Sequence, residues 1–444
     1  MRIQGVRPED AWNWSCGAPG LAQGPGVPAK LTHLINFPAD ATGGRVTTSV
    51  PPSTAAPARA WAGPAFDAVL SAIGARAAEH DAEASFAHEA YDLLQDLGVL
   101  SLTVPTSQGG AGAGLAEACQ VVESLGAADP AVGLLVSQHY LHHAMLASPA
   151  NRWPAVMRQR VQRSSVESGA LVNAARVEPD LGTPARGGLP ATVAERLAKG
   201  QGFRVTGRKT YTTGIPRLAW MALWARTDDP EPRVGTFLVP TALTGWRVEE
   251  TWDHLGMRAT RSDDVVFEGL VLPADHAVDV RPPAEHAVGM DPTLMAWNNL
   301  LIAALYNGVA RSARDWLVRY LNERVPTNLG APLASLPRFQ EAVGRIEALL
   351  LTSGRLISTT AAGVDQDPTG DGPESSALVK HTATTNAIDA VMLGVSLVGN
   401  PGLSRANPLE RHLRDVLCSR IHTPQDDTIL IGAGRGALSS GGRA

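Results

Sequence analysis

WDHLGMRATRSDDVVFEGLVLP (residues 252–273) joins a turn-forming half to a strand-forming half. DVVFEGLVLP (264–273) is rich in β-branched and apolar residues at near-alternating positions, the pattern of a half-buried strand. FRVTGRKTYTTG (203–214), WMALWAR (220–226), VGTFLVP (234–240) and WRVEETW (246–252) precede it and read the same way, with turn residues between them. A β unit is therefore expected over 164–282.

On either side the period changes. Phe66, Val69, Leu70, Ile73 and Ala77 recur at helical spacing, as do Ala90, Leu93, Leu94 and Leu97, which stop at Gly98. Residues 115–126 and 130–147 continue as apolar helices. An N-terminal helical domain is expected over 59–163. Helical periodicity returns at 293–323, 335–362, 373–398 and 406–421, and four such segments with short loops read as a four-helix bundle over 283–444. Residues 1–58 mix Pro, Gly, Ala and Ser with little periodicity, and a flexible N-terminal extension is expected there. The class is α+β: an N-terminal helical domain, a middle β-barrel-like domain and a C-terminal four-helix bundle.

The 444 residues carry 38 Lys plus Arg against 43 Asp plus Glu, a net charge of −5. Nucleic-acid binding is not expected from that balance. Apolar residues make up 44%, enough for a large core. No apolar run reaches the roughly 18 residues of a membrane span, and no secretory signal is seen, so a cytoplasmic protein without membrane partners is expected. Cys16, Cys119 and Cys418 are far apart and form no CxxC, which argues against a disulfide framework or a zinc ribbon.

Several motif-like stretches fail on context. QGGAGAG (108–114) follows no strand of a βαβ unit. DQDPTGDG (365–372) contains Pro368 and has Ser376 where a calcium loop needs its bidentate Glu. His139, His142 and His143 in HYLHH lie at helical spacing, but no matching carboxylate pattern accompanies them, and no metal is expected.

Two stretches are more specific. One is the opening segment with its GMRAT; the other is NPLERHLRDVLCSRIHTPQDD (407–427), with Arg411, Arg414 and Asp415 at one-turn spacing. Together with the helix–strand–bundle order, they resemble the acyl-CoA dehydrogenase superfamily over about 62–438. The resemblance implies a flavin between the β domain and the bundle, in a homotetramer. KTYTTG (209–214) looks like the family strand that faces the flavin. On that basis Tyr211 packs against the ring and Thr212 or Thr213 hydrogen-bonds N5 or O4, while Arg324 matches a phosphate-contacting arginine.

The resemblance also has departures. The usual catalytic Glu-Gly-Thr is absent after the RxxRD helix, where Ile421-His422-Thr423-Pro424-Gln425-Asp426 stands. The alternative Glu site on the first bundle helix reads Asn298-Asn299, and Asn cannot serve as a base. Gly399 and Gly402 keep part of a Gln-x-x-Gly-Gly-x-Gly cofactor motif, but Ser396 replaces the Gln and Asn400 one Gly, which fits FMN better than FAD. HTPQDD (422–427) is similar to the His-Thr-x-x-Asp of the reduced-flavin-dependent monooxygenase branch, which includes dibenzothiophene monooxygenase and the sulfur-acquisition oxidoreductases. Gln425 departs from that branch, which usually has a second His. LLVSQHYLHH (134–143) and LVNAAR (171–176) resemble that branch too. His422, His139 and Asn173 are then expected around the activated oxygen.

The implied activity is a two-component monooxygenase. It takes reduced FMN from a separate flavin reductase, since no NAD(P)H-binding βαβ pattern occurs here, and passes oxygen from O2 to a small organosulfur or amine compound. The alternatives are an FAD-dependent acyl-CoA dehydrogenase with a displaced carboxylate, such as Asp426, and a flavin-binding protein without turnover.

Overall fold

Asp129 is the single residue between two helices, and its side chain explains how. It ends α3 (Leu115–Ala128) and caps α4 (Pro130–Ala147), where its carboxylate accepts from the Ala131 N–H and Pro130 takes the first helical position. The computed structural model describes residues 61–181, 188–286 and 291–440. The expected N-terminal extension, 1–58, lies outside them. α1 (Pro64–Glu83) ends at Ala84 in the left-handed region, and α2 (His88–Asp96) is followed by Gly98 at φ 74°. α5 (Ala155–Ser168) completes the helical part before the sheet.

The strands are β1 (Leu171–Ala175), β2 (Val193–Arg196), β3 (Phe203–Lys209), β4 (Leu218–Thr227), β5 (Val234–Pro240), β6 (Trp246–Glu249), β7 (Asp264–Leu272) and β8 (Ala277–Arg281). They form one mixed sheet in the order β6-β7-β3-β2-β4-β5-β8. β5 occupies one edge of β4; β1 and β2 share the other, each parallel to it, β1 along 218–223 and β2 at 226–227. The expected strand over 203–214 stops at Lys209. Tyr211 has φ 57° and Gly214 φ 78°, so the chain turns there and the rest of KTYTTG becomes a turn at the end of β3 rather than a continued strand. Likewise 250–263 is a long loop. Its start is pinned by Asp263, whose Oδ1 accepts from Thr251 N and Trp252 N at 3.0 Å each.

After the short α6 (Pro283–His286), α7 (Pro292–Glu323) begins at the Asp291 cap. α8 (Pro337–Gln366) and α9 (Asp371–Val398) follow, then the short α10 (Asn400–Leu403) and α11 (Leu409–Leu417). The expected helix over 406–421 is shorter. A 3-10 turn, Cys418–Ile421, ends it, and a further helix, α12 (Asp426–Ser440), comes next.

α7 is the central rod. Every residue from Asn299 to Ala310 is buried, so the helix has no solvent face there. It meets α3 at close range: a Cβ on Gly308 would lie 2.1 Å from the Glu123 carbonyl oxygen, and one on Gly126 would lie 2.2 Å from that of Leu305. Each glycine thus receives the other helix's backbone.

Candidate active site

The turn after α11 carries His422. Three successive carbonyls of this turn accept hydrogen bonds from helical side chains: Lys380 Nζ donates to His422 O and to Pro424 O, both at 2.6 Å, and Asn298 Nδ2 donates to Thr423 O at 2.8 Å. Thr423–Pro424 is a cis peptide. The partly buried His422 ring meets Tyr306 of α7, with Nε2 2.7 Å from the phenolic oxygen. Burial, reinforced by the Lys380 ammonium, pushes His422 down to about 3, so the ring is neutral at pH 7. Burial pushes the Tyr306 phenol well above its ordinary value, so it keeps its proton. Either the Tyr306 hydroxyl donates to Nε2, with the imidazole proton on Nδ1, or Nε2–H donates to the phenolic oxygen. Nδ1 makes no hydrogen bond among the described residues.

Asp426, the expected substitute base, is otherwise engaged. It pairs with Arg420 and, at 3.2 Å, with His381 Nδ1, and these partners hold its carboxyl below the usual range against the opposing effect of burial.

The second group sits where β3 ends. Tyr211 is 56% exposed. Its ring stands edge-on to Trp252 and His254, which stack on one another with centroids 3.7 Å apart. Thr213 Oγ1 shares a 2.9 Å hydrogen bond with Ser262. Thr212 Oγ1 is buried and has no hydrogen-bond partner among the described residues. Asn173, on β1, donates from Nδ2 to Thr213 O at 3.0 Å, so the structure brings Asn173 and the 211–213 turn together. Among the described residues no hydrogen bond joins this group to His422. What links them is the loop 252–260, whose Gly256 rests on the Arg414 backbone and whose Met257 N donates to Asp415 Oδ1 at 2.7 Å. Arg414 also makes a bidentate pair with Asp81 of α1, at 2.9 and 2.6 Å. The two stretches quoted for the resemblance are thus in contact.

His139 does not take the place expected of it. Its ring is fully buried, Nε2 lies against Leu100 O and Ser165 Oγ, and Nδ1 accepts from Val172 N at 3.3 Å. Both nitrogens are engaged by protein and burial pushes the group down to about 3, so His139 fastens β1 and has nothing left for a ligand. Arg324, just past α7, is exposed, and its guanidinium has no partner among the described residues. Gly399, at φ 65°, ends α9; a Cβ on the buried Gly402 would meet Val398 at 2.9 Å. Sequence reasoning missed Tyr306, Lys380 and Ser262.

Three family models match: the acyl-CoA dehydrogenase N-terminal domain over 65–152, the middle domain over 174–270 and the C-terminal domain over 300–426. The chain belongs to the acyl-CoA dehydrogenase family. YdbM of Bacillus subtilis (strain 168), an acyl-CoA dehydrogenase by inference, is 33% identical over 356 residues, 80% of this chain and 90% of YdbM. KijD3, solved in complex with dTDP, matches at 25% identity and TM-score 0.72 over 84% of this chain and 95% of that one. FMN-bound TdsC from Paenibacillus sp. A11-2 shares the fold at 21% identity and TM-score 0.71, over 82% and 95%.

Members of the acyl-CoA dehydrogenase family bind flavin, and this end of the sheet suits one. A planar ring needs an aromatic wall and hydroxyl donors at its heteroatom edge. Tyr211 beside the Trp252–His254 stack supplies the first. The orphaned Thr212 hydroxyl and the Thr213–Ser262 pair supply the second.

Proposed function

We propose that this family member is a flavin-dependent monooxygenase that works with reduced FMN delivered by a separate flavin reductase and acts on a small organosulfur or amine compound. The observation that carries the reading is the state of His422. Burial pushes it down to about 3, it is anchored through Nε2 on Tyr306, and its Nδ1 has no hydrogen-bond partner among the described residues. A neutral imidazole held in this way can hydrogen-bond a departing hydroxide, as oxygen transfer requires, whereas removal of a proton from an acyl chain needs a free carboxylate. Asp426 is committed to Arg420 and His381.

Tyr211, Thr212, Thr213, Ser262 and Asn173 would hold the flavin ring, with Arg324, Gly399 and Gly402 toward its phosphate end. Reduced flavin, when bound, supplies the two electrons that activate O2. His422 would hydrogen-bond the departing hydroxide, which takes its proton from solvent at the partly open face of the ring. Tyr306 holds the ring so that Nδ1 faces outward. The aromatic wall excludes water from the flavin edge. Homotetramer assembly is consistent with the exposed apolar residues Leu351 on α8 and Leu378 and Met392 on α9.

The test is to mix the anaerobic protein carrying reduced FMN with oxygenated buffer. A lag before oxidised flavin reappears is expected; reappearance as fast as for free FMN overturns the reading. The relatedness to YdbM favours a second reading, FAD-dependent dehydrogenation of an acyl-CoA. Anaerobic bleaching of the FAD-loaded protein by acyl-CoA thioesters would establish it instead.

A further inference from the structure

Lys380 places an ammonium, which burial pushes down to about 8, where charge is normally excluded. Its side chain is 1% exposed, on the stripe of α9 that buries Ser376, Ala383 and Ala387. A buried ammonium is costly unless its protons are satisfied. Here no carboxylate touches it. Its partners are two main-chain carbonyls on either side of Thr423, both at 2.6 Å. A short apolar side chain would fill the same space without that cost, so the ammonium has another consequence: it fixes one turn of backbone.

We propose that Lys380 is a positioning residue for His422, its buried ammonium clasping the His422 and Pro424 carbonyls and so setting the imidazole against Tyr306. The inference rests on reading His422 as the proton-handling group of the site. Asn298 completes the grip from α7 through Thr423 O. His381, next to Lys380 on α9, holds Asp426 on the far side of the turn, and Arg420 holds it from the near side. The charged and titratable groups around His422 are thus Lys380 and His381 of α9, Tyr306 of α7, and Arg420 and Asp426 flanking the turn. Of these, Lys380 both anchors the main chain of His422 and lies close enough to oppose its protonation.

The test follows the His422 ring directly in full-length protein carrying histidine labelled with carbon-13 at Cε1, with His422→Gln assigning the signal. In the wild type, one neutral tautomer is expected across the accessible pH range. In Lys380→Met the signal should broaden or split and its titration should move toward the ordinary value of about 6.5. Lys380→Arg, which can still donate to two carbonyls, should retain most of the wild-type behaviour, and added methylammonium should restore it in Lys380→Ala. An unchanged His422 signal in Lys380→Met overturns the proposal, as does equal disturbance by Met and Arg. If Lys380→Met does not fold, the Arg variant and the amine rescue of the Ala variant decide. Flavin reoxidation measured on the same proteins separates the two layers. A displaced His422 with an unaltered reoxidation lag keeps Lys380 as its anchor and removes His422 from the chemistry.

Discussion

The Tyr306 hydroxyl and His422 Nε2 lie 2.7 Å apart, one at the middle of the longest helix and the other on a turn 116 residues later. The phenol keeps its proton, and a bond in which it donates to Nε2 favours the neutral imidazole. Tyr306→Phe removes it and leaves the turn clasped. His422 should then titrate at higher pH, with stability changed by no more than about 1 kcal/mol. A ring titration by nuclear magnetic resonance and a denaturant melt measure the two. An unmoved titration would show that the bond does not bias the ring.

His422→Ala deletes the proposed donor while retaining the carbonyl that Lys380 binds. Oxygen consumption should then yield hydrogen peroxide rather than product, with the product-to-peroxide ratio down at least about tenfold, the equivalent of losing one hydrogen bond to a charged group. The ratio is read with any substrate that wild-type protein oxygenates. Unchanged coupling removes His422 from the mechanism.

Asp415 gives a pH dependence whose sign is fixed. Burial lifts its carboxyl to about 7 against the hydrogen bond from Met257 N and the charge of Arg411. The folded state holds a proton that the unfolded chain releases near pH 4. This contribution to stability is complete below about pH 4 and is lost as the pH rises through 7. Asp415→Asn cannot lose a proton there and can still accept from Met257 N. The stability advantage of Asn over Asp should grow by about 1–4 kcal/mol between pH 5 and pH 8, measured by urea unfolding at each pH. A constant difference contradicts the assignment.

Gly308→Ala tests the crossing of α7 and α3. With backbone 2.1 Å from the new Cβ, the helices must separate, and a loss of about 1–3 kcal/mol is expected. Gly344→Ala, on α8 with open space around it, is the control and should be neutral or stabilising. Equal melting temperatures for the two variants would contradict the close approach.

Glu178 and Lys209 form a buried ion pair at 2.6 Å, and Glu178 also accepts from Ala191 N and Thr192 N. Glu178→Gln should cost about 3–5 kcal/mol because it leaves the Lys209 ammonium without its countercharge. Adding Lys209→Met should recover part of that loss. A double variant no better than the single would place the cost in the two backbone bonds instead.

The three-part order was legible because period distinguishes the parts: two-residue alternation in 234–240 and 264–272, helical spacing in 292–323 and 371–398. Tyr211 was read as a strand residue because nothing in its type announces a positive φ. His139 was misread because an isolated histidine looks the same whether it lines a cleft or fastens a strand; only the carbonyl of Leu100 and the N–H of Val172 decide. Lys380 was missed although a signal was present. It lies at i+4 from Ser376, on the stripe that α9 buries, where a lysine is out of place. Tyr306 gave no such signal, since a tyrosine on a buried helix face reads as packing.

The Arg414–Asp81 pair has a consequence for how the chain is made. Its two members are separated by 333 residues. At typical synthesis rates of about 5–20 residues per second, Asp81 waits roughly 20–70 s for its counterion. Through that interval α1 carries Asp81 without Arg414, so the tie between the first helix and α11 closes only after nearly the whole chain has been made.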